Sequence, residues 1–217
     1  MPPKRPSLIL LSLGAVLSLQ GIILGPDAAA QNGLVLLAGD GRLGAEADEL
    51  RRVSSAYGYE GTPHSVVSEM IELAAVNEDD VAYEPGCGDA RIVIAAVQAG
   101  ANRGLGVDIN PDLAEVCYAR VKAAGLEDQI DIYWGNALDL DMSDVTAVFL
   151  FMGNSFNMVM RPMLWEQLPV GARVVSNDFH MRDWEPDRTV RVETAGRTYV
   201  LYLWTITSEI KERVERN

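Results

Sequence analysis

An α/β domain with a mostly parallel sheet, closed at its end by an antiparallel hairpin, is the fold this sequence predicts. Three observations predict it. Val- and Ile-rich runs alternate with helical patterns from Asp80 to Asn177, as they do in a parallel sheet covered on both faces. A glycine turn, Pro85-Gly86-Cys87-Gly88, joins the first of these runs to a helix, where a sharp strand-to-helix turn cannot carry a Cβ. Two β runs, Thr189 to Glu193 and Arg197 to Thr207, flank the tight turn Ala195-Gly196 and read as a hairpin.

The chain opens with Lys4 and Arg5, an apolar run from Leu8 to Leu24, and Ala28-Ala29-Ala30 before Gln31. Such a charged start, apolar middle and small-residue end make residues 1–30 a secretory signal peptide. The rival reading is an N-terminal membrane anchor, short of the ~20 apolar residues a bilayer requires. Both readings place the domain outside the cytoplasm, exported or periplasmic in the first case and membrane-anchored in the second. A leader that holds the domain on the cytoplasmic face is the third arrangement.

Residues 31–45, rich in glycine, read as a linker whose apolar patch Leu34 to Leu37 docks on the domain, and residues 46–217 read as that domain. Glu46 to Ala56 fits a short amphipathic helix, and Pro63 opens a second over His64 to Val76. Then follow a strand at Asp80 to Tyr83, a helix at Ala90 to Ala99, a strand at Gly104 to Asp108 and a helix from Pro111 to Ala124. Asn110-Pro111 and Gly125 punctuate the ends of that helix. The pattern continues with strands at Ile130 to Trp134 and Val145 to Phe151, a helix at Met158 to Gln167 and a strand at Ala172 to Asn177.

The turn also predicts a ligand. Asp108 ends the second strand, where a carboxylate can accept hydrogen bonds from both hydroxyls of a ribose. A dinucleotide site favours G-x-G-x-x-G, but Arg91 stands at the third glycine position and an acid, Glu84, lies two residues before Gly86. A carboxylate there repels a pyrophosphate and suits the cationic amino-acid end of S-adenosylmethionine.

With these motifs the chain resembles the class I methyltransferases, whose first motif is acid-x-Gly-x-Gly and whose second is an acid ending the next strand. The resemblance implies a Rossmann-like, mostly parallel seven-stranded sheet with the C-terminal antiparallel hairpin, and S-adenosylmethionine as cofactor. It implies an adenine contact at Gly135-Asn136-Ala137, so at Asn136 and Ala137, although that superfamily usually has Asp at the place of Asn136. Tyr59-Glu60-Gly61-Thr62-Pro63, Gly88 to Ala96, and Trp184-Glu185-Pro186-Asp187 resemble a narrower, Dot1-like branch. That branch holds bacterial, archaeal and mitochondrial lysine methyltransferases acting on the adenine nucleotide translocase and the ATP synthase c-subunit. It implies a loop over the cofactor, with Tyr59 and Thr62 on it and Asp89 and Arg91 beside it. The acceptor it implies is a protein lysine, with a small molecule as the alternative.

The catalytic residues stay open, because a methyl displacement requires alignment in a dry site and no fixed triad. Asn154, in the loop after the fourth strand, and His180 are the candidates. The Asn/Asp-Pro-Pro-aromatic motif of many base and glutamine methyltransferases is absent after that strand. A non-catalytic nucleoside-binding or interaction module at the envelope is the alternative from a different class.

Composition narrows the partners. With 217 residues and 48% hydrophobic composition, the chain suits one well-buried domain. A net charge of −13 with scattered basic residues argues against nucleic acid, which requires clustered Lys and Arg. Two cysteines and two histidines carry no metal-ligand spacing, so no metal is expected. Cys87 reads as a small turn residue and Cys117 as a core thiol, since a bridge would tie the cofactor loop to the following helix. Nothing in the sequence indicates an oligomeric state.

Overall fold

The computed structural model describes residues 34–43 and 59–216. The leader and the helix expected at Glu46 to Ala56 lie outside the described residues. Among the described residues, no helix is long and apolar enough to cross a membrane.

One eight-stranded sheet organises the described residues. Its strands are β1 (Val35–Leu36), β2 (Val81–Pro85), β3 (Arg103–Asp108), β4 (Ile130–Trp134), β5 (Ala147–Leu150), β6 (Arg173–Asn177), β7 (Arg188–Thr194) and β8 (Arg197–Thr205). The order is β1-β4-β3-β2-β5-β6-β8-β7. Strands β2 to β6 are parallel, and β8 inserts antiparallel between β6 and β7. Among the described residues the helices are α1 (His64–Ala74), α2 (Arg91–Gln98), α3 (Pro111–Ala123), α4 (Asn154–Gln167) and α5 (Ser208–Glu215).

Alternation along each strand builds two cores. Ala82, Ile132 and Val175 face α1, α2 and α3, whereas Tyr83, Tyr133 and Val174 face Met160 and Leu164 of α4. Both faces are therefore covered, as apolar parallel strands require. At the amino ends of the strands, Asp80 is 1% exposed and accepts bonds from Thr146 and Arg173, each at 2.6 Å. It thus locks the starts of β2, β5 and β6 together and leaves their carboxyl ends to shape the site.

Four differences from the sequence reading have physical causes. The sheet has eight strands, not seven, because Val35 and Leu36 pair antiparallel with the outer edge of β4 while Leu34 and Leu37 bury beside them. Helix α4 starts at Asn154, a turn before the expected Met158, because Gly153 (φ 96) ends the chain's extended path and Asn157 N–H already bonds Gly153 O. Helix α5 was not anticipated; Thr207 caps it by accepting the Ile210 N–H at 3.3 Å.

Cysteine pairing is the fourth difference: Cys87 and Cys117 are joined in a disulfide, with Cα atoms 6.7 Å apart. Helix α3 folds back across β3, bringing the buried Cys117 to the glycine turn. Gly106 of β3 makes room, since a Cβ there would lie 3.1 Å from that of Cys87.

Candidate functional site

The turn after β2 rises from the carboxyl edge of the sheet. Gly86 (φ 65) and Gly88 (φ 57) both lie in the left-handed region that glycine adopts without strain. Gly86 and Cys87 donate to Val107 O at 2.7 and 3.1 Å, so the turn is stitched to β3. Ala90, also left-handed at φ 61, then starts α2.

Asp108 closes β3 directly beside this turn and is 5% exposed. Its Oδ2 accepts the Gly88 N–H at 2.9 Å and its Oδ1 the Asn110 N–H at 2.8 Å. Each carboxylate oxygen has a second lone pair, so two acceptor positions remain for a diol. Burial pushes the Asp108 carboxyl above its ordinary value, and the two backbone N–H groups moderate that rise.

Glu84 lies one strand over, also 5% exposed, with Oε2 accepting the Val93 N–H at 2.8 Å. Burial pushes its carboxyl up to about 8, against the Val93 bond and reinforced by Asp89 and Asp108. A carboxylate so short of compensation is primed for a cation, and the ammonium of an amino acid supplies one.

The loop at residues 59–63 closes over the turn. The Tyr59 ring lies against Gly88, where a Cβ would come within 2.2 Å of it, and its hydroxyl hydrogen-bonds Asp89. Burial and that bond push the Tyr59 phenol up to about 12. On the other side, Met152 Sδ stands 2.0 Å from the place a Gly86 Cβ would take. The two glycines thus form a cradle that Tyr59 and Met152 cover.

Asp89 and Arg91 hold this cover in place. Arg91 pairs with Asp89 at 2.7 Å and donates to Thr62 O at 2.7 Å, while Arg120 reaches Asp89 at 3.0 Å. Burial raises the Asp89 carboxyl, but the Arg91 and Tyr59 bonds outweigh it and hold it below the ordinary range. A Cβ at Gly61 would meet the Arg91 guanidinium at 2.6 Å, which accounts for glycine there. Thr62 itself is 3% exposed, with its backbone carbonyl turned to Arg91.

Asn136 and Ala137 lie further along the same edge, after β4. Asn136 is exposed and its Oδ1 accepts the Leu138 N–H at 3.1 Å, while Ala137 O accepts the Tyr83 hydroxyl at 2.8 Å. A surface cleft of about 420 Å³ lined by Leu138, Asp139, Leu140, Asp141 and Gln167 lies beside them. None of the glycine-turn residues lines it, so we place the site at the turn, where the buried carboxylates are.

The acceptor-side candidates separate. Asn154 is exposed on the first turn of α4. His180 is exposed, accepts the Arg182 N–H on Nδ1 at 2.9 Å and sets its ring edge-on to Tyr202, with centroids 6.3 Å apart. Tyr202 packs on the α4 side of the sheet, so this ring is turned away from the face that carries Glu84. Sequence reasoning missed Asn177 and Arg197. Arg197 bridges Glu60 at 2.8 Å and Asp178 at 2.6 Å, fastening the covering loop to the end of β6. Its only sequence signal is an arginine at a hairpin turn. Among the described residues, no cluster of His, Cys, Asp or Glu suits a metal ion.

Comparison with known proteins finds methyltransferases. The family model of the ANTKMT methyltransferase domain matches residues 84–188. A protein-lysine N-methyltransferase of Saccharolobus islandicus is 36% identical over 149 residues, which are 68% of this chain and 92% of that protein. The adenine nucleotide translocase lysine N-methyltransferase of Mus musculus is 33% identical over 101 residues, 46% of this chain and 44% of that one. A crystal structure described as an RNA methyltransferase from Salinibacter ruber, in complex with S-adenosyl-L-homocysteine, is 43% identical with a TM-score of 0.64. It matches 69% of this chain and 95% of its own.

Proposed function

This chain belongs to the ANTKMT methyltransferase domain family of S-adenosylmethionine-dependent methyltransferases, and from that premise we propose that it methylates lysine nitrogen on a protein. The observation that carries the reading is the pair of buried acids, Glu84 and Asp108, on either side of a glycine cradle at the sheet's carboxyl edge.

The residues fit the cofactor. Glu84 takes the ammonium, Asp108 the ribose hydroxyls, and the backbone of Gly86 and Gly88 lies against the chain between them. Asn136 and Ala137 take the adenine edge, and Tyr59 with Thr62 closes the site from above, held by Asp89 and Arg91. When bound, S-adenosylmethionine supplies a methyl on a positively charged sulfur, whose bond to carbon breaks onto sulfur as the acceptor's lone pair forms the new bond. The protein's task is to exclude water and to align the acceptor, and orientation of that kind is worth on the order of 7–11 kcal/mol. Tyr59 and Met152 must swing off the cradle for the cofactor to enter and then shield it.

Protein is preferred to RNA as acceptor because a net charge of −13 opposes phosphate binding and favours a basic polypeptide. The proposal includes an exported location for the domain, supported by the Cys87–Cys117 disulfide, a bond typical of oxidising compartments. The test is incubation of the full chain with methyl-labelled S-adenosylmethionine and a protein extract of its own organism. Methyl-lysine in the acid hydrolysate is expected; label confined to RNA or to small molecules refutes the lysine reading.

A further inference from the structure

Strand β6 ends on two polar residues, Ser176 and Asn177, both fully buried. Pleating sends them to opposite faces. Ser176 shares the face of Val174 and takes the Asn157 amide on its Oγ at 3.0 Å. Asn177 shares the face of Val175, and opposite it in the ladder stands Leu201. There neither Nδ2 nor Oδ1 of Asn177 has a hydrogen-bond partner. Folded proteins leave few buried amides unmade at both ends, and those that remain ask for an explanation.

The position of Asn177 supplies one. Arg197, which bonds Asp178 directly after Asn177, also bonds Glu60 of the covering loop at 2.8 Å. The end of β6 that carries Asn177 is therefore tied to the loop that carries Tyr59 and Thr62. Immediately after it the chain reverses: Asp178 is left-handed (φ 61) and Phe179 N–H bonds Asn177 O at 2.8 Å. Arg197 pins the Asp178 carboxylate. The reversal stacks Phe179 on Phe151, the first residue past β5, with ring centroids 5.7 Å apart.

We infer that Asn177 and the Phe151–Phe179 pair form the acceptor subsite, which takes a primary alkyl amine on a flexible apolar stem. The inference rests on the protein-lysine reading and deepens it. The two rings line the methylene stem, and Asn177 Oδ1 accepts one N–H of the neutral amine, which fixes the direction of its lone pair. The lone pair forms the N–CH3 bond, the electrons of the breaking C–S bond stay on sulfur as a neutral thioether, and the methylammonium's proton leaves to water.

The test uses the full chain carrying Asn177→Leu, similar in volume but without polar atoms, and Asn177→Asp. Methyl-lysine formation is read on the same protein extract, alongside S-adenosylmethionine affinity by calorimetry and thermal unfolding. Asn177→Leu is expected to lower methylation about thirtyfold, the effect of one strong hydrogen bond, with cofactor affinity kept. Its melting temperature should hold or rise, because two unpaired buried polar atoms are removed. Asn177→Asp, whose carboxylate stabilises the protonated amine, should move the pH–rate profile upward.

Undiminished methylation by Asn177→Leu overturns the inference alone. So does a lowered melting temperature with activity falling in step, which marks Asn177 as structural. Wild-type protein that binds S-adenosylmethionine but forms no methyl-lysine overturns the lysine reading and this subsite together.

Discussion

Replacing Glu84 with Gln tests whether the buried carboxylate is kept for a cation at the expense of stability. Glu84 is 5% exposed, and its carboxyl is pushed up to about 8 from the ordinary 4.5. At ~1.4 kcal/mol per pH unit, keeping it ionised in the fold costs about 5 kcal/mol relative to the unfolded chain. The sign follows from proton counting. Between pH 4.5 and about 8 the folded chain holds a proton that the unfolded chain has lost, so stability falls as pH rises through that window and levels off above it.

Gln keeps the shape and still accepts the Val93 N–H, as the protonated carboxyl does. The Glu84→Gln variant should therefore unfold about 4–5 kcal/mol less readily than wild type near pH 8.5, and within about 1 kcal/mol of it near pH 5. Urea unfolding of both proteins at pH 5, 7 and 8.5 reads this difference. Calorimetry should show the opposite effect on the cofactor, with S-adenosylmethionine bound ~1.5–3 kcal/mol more weakly once the charge is gone. Parallel pH–stability curves for the two proteins, or equal cofactor affinity, would refute the reasoning.

Two further outcomes follow from the same geometry. Asp108→Ala should weaken S-adenosylmethionine by about 1.5–3 kcal/mol, the range for a hydrogen bond to a charged group, with cooperative unfolding retained; an unchanged dissociation constant in the titration contradicts the ribose assignment. Reducing the Cys87–Cys117 bond, which closes a 30-residue separation, should destabilise the protein by about 3–4 kcal/mol through the freed unfolded chain. Thermal unfolding with and without dithiothreitol measures it, and equal melting temperatures would show that the bond does not restrain the chain.

The local features of the site were legible because their chemistry repeats at short range. Two glycines around one cysteine, an acid two residues before them and an acid ending the next strand are separated by fixed, small intervals, so residue type alone indicates what the turn binds. The alternating strands and helices were legible for the same reason, since burial on both faces demands continuous apolar runs. Where boundaries moved, as at α4, the cause was one residue's backbone angle at Gly153, which residue type only hints at.

What the tertiary structure decided lies between residues distant in sequence. Arg197 reaches Glu60 across 137 positions, and Cys87 meets Cys117 beside Gly106, which leaves room for the Cys87 side chain. The two-residue β1 exists only because β4 presents an open edge. Asn177 and Ser176 are chemically similar neighbours, yet the pleat sends one to a partner and leaves the other unpaired at the strand end tied to the covering loop. Sequence by itself determined the fold class and the two acids beside the glycine turn, since both follow from local period and residue type. Only the folded chain could settle which polar groups are paired, because pairing depends on the face and the neighbours that packing assigns.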